Sequence, residues 1–331
     1  MLLRLTAPDW AEKLVSDLTD MDRDPRRVSP GEVVEHERPD DVYFEYGFVG
    51  ADGAVRPDPA NEKRAKSVWY GEVSYVTGPD HRPDELADPP AELATGASDR
   101  LRVASGALGQ TRRVTVYTPA QVAPDEPTPL AVVQDGVAFQ RLGALHVVLE
   151  ALLRRGEVEP VRLAFVEPVD RMVEYAFHEP YLRFVEEELE AELARRYPLA
   201  PRRVWVGASL GALASATLAL RRFAREPEAA RDDAVLALSG AFLGTPERFD
   251  AYRSPDSWLV DRLRDPATPL TGTWHVHVGT LEWLHDVNRD AAAALAGRAG
   301  VRCAYTESSA GHNWPNWKDA LPGALRTVLG R

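Results

Sequence analysis

The sequence predicts an α/β fold over residues 101–331, and two observations carry that prediction. Near-continuous apolar runs at 113–117, 130–134, 162–166, 203–206, 235–239, 274–278 and 301–305 alternate with amphipathic stretches at 139–154, 180–197, 210–224, 287–299 and 317–329. Strands that are apolar on both sides need helices on both faces of a sheet, and the βαβα order supplies them. At the centre of this rhythm stands Gly207-Ala208-Ser209-Leu210-Gly211, a G-x-S-x-G directly after an apolar run and directly before an Ala/Leu-rich helical pattern. Strand, tight turn and helix in that order are the context of a nucleophile elbow. The predicted architecture is therefore the three-layer sandwich of an α/β-hydrolase.

Residues 1–88 read differently. Short strands are expected at 32–34, 42–49 and 67–70, with a hairpin turn at 50–53, and only 10–18 has helical spacing. Short strands punctuated by turn residues predict a small β-sandwich domain. Residues 78–100 hold many Pro, Asp and Ala residues, a linker composition, and the linker is placed at 89–100. No internal repeat is present.

Composition excludes several classes of function. The 331 residues are 44% hydrophobic and 27% charged, as in an ordinary soluble protein. The net charge of −12 argues against nucleic acid or an anionic membrane surface as partner, since both need clustered positive charge. Cys303 is the only cysteine, so no intrachain disulfide forms and a reducing compartment is expected. The apolar stretch within residues 1–9 is too short for a signal peptide. No run approaches the roughly 18 apolar residues of a membrane span. A cytoplasmic location is the expectation. Neither a metal-ligand set nor a phosphate loop is recognisable, so no cofactor and no metal are expected.

A serine hydroxyl needs a general base to act as a nucleophile. His312 is the candidate: it follows the last predicted strand among small residues, 103 positions after Ser209 and just before the final helix. That gives the chain order serine, acid, histidine. The acid should fix the imidazole tautomer, and the loop after the 274–278 strand offers Glu282, favoured, or Asp286. His275 and His277 alternate with apolar residues on that strand and read as structural. An oxyanion hole needs two donors. The Leu210 N–H, at a helix start, is one. The N–H of Gly136 or Val137, in the loop after the 130–134 strand, is the other.

Seven segments in order resemble the enterochelin esterase branch of the esterase D-like α/β-hydrolases. They are Val114-Thr115-Val116-Tyr117-Thr118-Pro119, Gln134-Asp135-Gly136, Arg171-Met172-Val173-Glu174-Tyr175, the elbow itself, Leu238-Ser239-Gly240-Ala241-Phe242, Gly279-Thr280-Leu281-Glu282 and Gly311-His312-Asn313-Trp314-Pro315-Asn316-Trp317. The resemblance implies that Ser209, His312 and Glu282 form a triad. The segment Phe44-Glu45-Tyr46 with Pro57-Asp58-Pro59-Ala60-Asn61 resembles, more loosely, the immunoglobulin-like early-set module that precedes such catalytic domains. Two departures are Ala212, where a second Gly often follows the elbow, and His178, where relatives often carry Asn.

Four residues are candidate substrate contacts. Arg171 can grip a catecholate or carboxylate, with a local ion pair to Glu174 as its other role. Trp314 and Trp317 can line a pocket for aromatic acyl groups or pack a helix start, and His178 stands near Arg171 in sequence. The expected activity is a serine esterase working through an acyl-enzyme on a small-molecule ester. The resemblance implies a catecholate siderophore trilactone, in its ferric form or free. A carbohydrate acyl esterase (feruloyl or acetyl) or general carboxylesterase is the alternative, and a non-catalytic binding protein on a hydrolase fold stands behind both.

Overall fold

The computed structural model describes residues 1–19, 21, 23–249 and 254–330. Its first eight strands are short and pair antiparallel. β1 (Leu2–Thr6) pairs with β4 (Val33–Glu37) in one sheet. The second sheet holds β2 (Ala11–Ser16), β3 (Arg26–Arg27), β5 (Tyr43–Gly50), β6 (Val55–Arg56), β7 (Arg64–Ala65) and β8 (Val73–Thr77), in the order β3-β2-β5-β8-β7 with β6 on β5. Alternate residues of β1, Leu3 and Leu5, join Val34, Leu14, Phe44 and Phe48 in one buried cluster. Two sheets closed over a common core make a β-sandwich.

Two local expectations fail here for identifiable reasons. Residues 10–18 have helical spacing, yet 11–16 are strand β2. The register against β5 slips between Ala11 and Lys13, so two consecutive residues face out. A bulge of this kind imitates the i, i+3 spacing of a helix. Residues 67–70 are not a strand but the bend between β7 and β8.

The compact unit built on this sandwich contains Met1–Asp84 and also two later segments, Val278–His285 and Glu307–Trp317. Leu281 packs on the sandwich core. Tyr43 N–H donates to the Ser309 carbonyl at 2.9 Å. The second unit takes Glu85–His277, Asp286–Thr306 and the residues from Lys318 on. Residues 89–100, expected as linker, hold a 3-10 turn (Ala91–Leu93) and the first residues of β9 (Ala97–Ser105). This edge strand is mostly polar and exposed, which hides it from a reading based on apolar runs.

β9 starts an eight-stranded sheet with β10 (Gln110–Thr118), β11 (Thr128–Val133), β12 (Arg162–Val166), β13 (Leu199–Ala208), β14 (Ala234–Leu238), β15 (Gly272–Gly279) and β16 (Val301–Ser308). Their order is β16-β15-β14-β13-β11-β12-β10-β9. β9, β10 and β12 pair antiparallel, and β12, β11, β13, β14 and β15 are parallel. Every residue of β12 and β14 is buried, so both faces of the sheet are covered. The helices are α1 (Gly136–Arg141), α2 (Leu145–Arg155), α3 (Arg171–Glu174), α4 (Glu179–Arg183), α5 (Glu190–Arg196), α6 (Leu210–Arg225), α7 (Trp258–Arg264), α8 (His285–Ala296) and α9 (Trp314–Leu329). A π-helical stretch, Phe184–Leu189, joins α4 to α5. No helix among the described residues is long and apolar enough to cross a membrane.

His275 on β15 is buried, with Nδ1 at 3.0 Å from Thr327 Oγ1 and Nε2 at 3.2 Å from Thr306 Oγ1. Burial, and then the neighbouring His277, lower its imidazole from 6.5 to about 4. Between those values the unfolded chain binds a proton that the fold refuses. This part of the stability is complete above the unfolded value and drains away as pH falls toward the folded one. Urea midpoints measured from neutral pH down to about 4.5 should therefore fall by the equivalent of ~2 kcal/mol more in the wild type than in His275→Gln. Parallel curves for the two proteins would assign the acid sensitivity to other groups.

Candidate active site

Ser209 sits between β13 and α6 with φ 56° and ψ −122°, a conformation that costs a side-chain-bearing residue about 1–3 kcal/mol. The surrounding bonds hold it there. Its N–H donates to the Leu238 carbonyl at 2.8 Å, and its own carbonyl accepts from Ala212 and Ala241. A Cβ on Gly207 would stand 2.2 Å from the Gly211 carbonyl group, so the first glycine of the motif is sterically required. Leu210 opens α6, where first-turn N–H groups have no intrahelical acceptor.

The acid–base pair belongs to the other unit. His312 Nδ1 lies 2.6 Å from Glu282 Oε2, and both residues are buried. A carboxylate there selects the tautomer with the proton on Nδ1 and leaves the Nε2 lone pair to accept. Glu282 is held in turn: its Oε1 accepts from Gly279 N–H at 2.8 Å and from Asn316 Nδ2 at 3.4 Å. Asn316 also donates to the Gly311 carbonyl at 3.0 Å, which ties the acid to the backbone just before His312. Gly311 has no room for a side chain, because its Cβ would fall 2.0 Å from Asp17 Oδ1.

The model of the Esterase family (Putative esterase) matches residues 105–328. The chain belongs to this family. Its fold is similar to that of the enterochelin esterase of Shigella flexneri, with TM-score 0.72 and 18% identity over 99% of this chain and 91% of that one. The ferric enterobactin esterase of Salmonella typhimurium gives TM-score 0.72 and 17% identity, over 99% and 92%. A ferulic acid esterase is similar over 71% of this chain and 97% of its own, with TM-score 0.55 and 19% identity. No curated protein matches the chain in sequence. The catalytic unit of this esterase is thus an α/β-hydrolase, the class the strand rhythm and the elbow predict.

The other predicted residues of the esterase fall into place less uniformly. Val137 N–H is committed to Glu167 Oε2 at 2.9 Å. Gly136, the other candidate donor, opens α1. Arg171 does not pair with Glu174. Its Nε and Nη2 reach both carboxylate oxygens of Asp135, at 2.8 and 2.9 Å, and Nη2 also donates to the Ala208 carbonyl at 3.2 Å. Glu174 is instead bound by the buried Arg112. Arg171 therefore couples the loop after β11 to the end of β13, next to Ser209, and its guanidinium is paired with Asp135. Asp286 is exposed in the first turn of α8, while the partner of His312 Nδ1 is Glu282. His178 is half-buried at the start of α4.

Trp314 and Trp317 are both buried, with ring centroids 5.1 Å apart, and Trp317 presents its edge to the His312 ring at 4.9 Å. Trp317 thus packs on His312, and Trp314 packs on Trp317. Two residues that sequence reasoning passed over complete the surroundings of His312. Trp283 lies 4.7 Å from the imidazole, and Trp69, in the bend between β7 and β8, stacks on it at 5.7 Å and 29°. A small hollow, no larger than a water molecule, is lined by Trp69, Trp283, Leu281 and Glu282 beside His312. Trp283 is the immediate neighbour of the predicted acid; Trp69 carried no local signal at all.

Replacing Glu282 by Gln puts an amide donor where His312 needs an acceptor. Steady-state turnover of Glu282→Gln should fall by at least ~10²-fold with the thermal midpoint nearly unchanged. Asp286→Asn should retain wild-type rates, and the reverse pattern would move the acid to Asp286. Gly207→Ala should be far more damaging to the fold than Glu282→Gln, visible as a drop in thermal midpoint and poor recovery of folded protein.

Proposed function

We propose that this esterase cleaves its substrate through an acyl-enzyme on Ser209, with His312 as general base and acid and Glu282 holding the imidazole. The buried 2.6 Å contact between Glu282 and His312 carries this reading, because it fixes the tautomer a serine hydrolase requires. Nε2 of His312 takes the hydroxyl proton as the Ser209 oxygen bonds to the substrate carbonyl carbon. The negative oxygen of the tetrahedral intermediate is met by the Leu210 and Gly136 N–H groups, each worth ~3 kcal/mol of transition-state stabilisation. Collapse breaks the ester C–O bond, and the leaving alkoxide receives the proton from Nε2. Water, deprotonated by the same nitrogen, then releases the acid and restores Ser209.

For the substrate we propose an ester or lactone with an aromatic acyl or amide group, of the dihydroxybenzoyl-serine kind found in catecholate siderophores. The likeness to enterochelin esterases spans the β-sandwich as well as the catalytic unit, whereas the ferulic acid esterase covers only part of the chain. A simple aryl ester such as a feruloyl conjugate is the second reading. One observation favours it: Arg171, the cation expected to meet an anionic catecholate, is bound bidentately by Asp135.

Mass-resolved hydrolysis of ferric and apo enterobactin, methyl ferulate and p-nitrophenyl butyrate, with Ser209→Ala as blank, tests both layers. Release of dihydroxybenzoyl-serine at the highest kcat/KM supports the siderophore reading. Preference for methyl ferulate replaces it with the second. Turnover surviving in Ser209→Ala at more than about 10⁻³ of wild type would refute the nucleophile.

A further inference from the structure

The sandwich would ordinarily be assigned a recruiting role, holding large substrates near a self-sufficient catalytic unit. The contacts of the sandwich argue for something else. Trp69 is a sandwich residue, and its indole lies nearly parallel to the His312 ring. Trp283 meets the same ring at 46°, and Trp317 closes it edge-on at 87°. Asp17, at the end of β2, sits against Gly311 and accepts the Glu45 N–H at 2.7 Å, so the backbone before His312 rests on the sandwich. Tyr43 N–H holds the neighbouring Ser309 carbonyl.

We infer that Trp69 is a positioning residue for the catalytic base, and that the β-sandwich is a component of the catalytic machinery for every substrate, large or small. The inference rests on the reading of His312 as base. When Nε2 takes the Ser209 proton, imidazole becomes imidazolium, and a cation over the face of an indole is attracted by the ring's negative π surface. The attraction is absent for the neutral ground state and present in the transition state, which is the condition for an interaction to raise kcat. The stacked indole also restricts rotation of the ring about the bond that Glu282 fixes at one end only.

The test compares Trp69→Phe and Trp69→Leu with wild type in the full chain, on p-nitrophenyl acetate and on a bulky aryl ester. Kinetics are read alongside the thermal midpoint and the rate of labelling by a fluorophosphonate. Trp69→Leu keeps apolar bulk and loses the π face. It is expected to lower kcat about tenfold on both esters, leave KM within about twofold, and slow labelling in parallel. Trp69→Phe should recover most of the loss. A rise in KM confined to the bulky ester, with kcat unchanged, would make Trp69 a substrate contact and overturn the inference. So would a fall in activity that follows the thermal midpoint and is not rescued by Phe. A wild-type chain that fails to label at Ser209 takes down the hydrolase reading and this inference with it; normal wild-type labelling with indifferent Trp69 variants takes down the inference alone.

Discussion

Ser209 occupies a backbone conformation that its own Cβ disfavours, and much of the catalytic unit is arranged so that it has no other choice. β13 must end where it does, α6 must begin at once, and Gly207 must carry no side chain for the turn to close against Gly211. The Leu238 and Ala241 contacts bring the end of β14 into the same lock. The strain is small beside the burial that surrounds it: α6 hides thirteen of its sixteen residues. What the arrangement secures is the place of the Ser209 Cα–Cβ bond, set by the backbone at the end of β13.

The charged groups around the elbow follow the same logic. Arg171 joins Asp135 to the Ala208 carbonyl, groups far apart in sequence, and the Asp135 N–H donates to the Tyr175 hydroxyl at 2.8 Å. Burial raises Glu167, the acceptor of Val137 N–H, above the ordinary carboxylate range, with that N–H pulling the other way. Arg112 and Glu174 are both buried and paired, and removing either would strand the other's charge. Ionic contacts here set the geometry of loops; the net charge of −12 has no visible bearing on the chemistry.

What the sequence disclosed and what it hid divide along the reach of each interaction. The elbow is local, so seven or eight consecutive residues were enough to place it. Glu282 and His312 are each legible from the strand they follow, and their pairing needed only the order of the loops. Partners chosen by tertiary packing were invisible: Arg171 went to Asp135 and not to nearby Glu174, and the Val137 N–H went to Glu167. A bulge turned β2 into an apparent helix. Trp69 lay in a run that looked like a strand, and nothing in its neighbours announced a histidine on the far side of the sequence.

The compact unit that carries Glu282 and His312 is stitched from one early segment and two late ones. A ribosome delivers the sandwich strands first and the loops that complete their core only after the whole parallel sheet has emerged. Contacts of such long sequence separation form slowly, so the sandwich core waits for Leu281 and Asp17 waits for Gly311 until the late segments arrive. The turn at Ser209 needs only β14 for its Leu238 and Ala241 bonds, whereas His312 follows the last strand. A chain interrupted before that point would carry Ser209 without His312, so on the proposed mechanism the growing polypeptide stays inactive until its last segments are made.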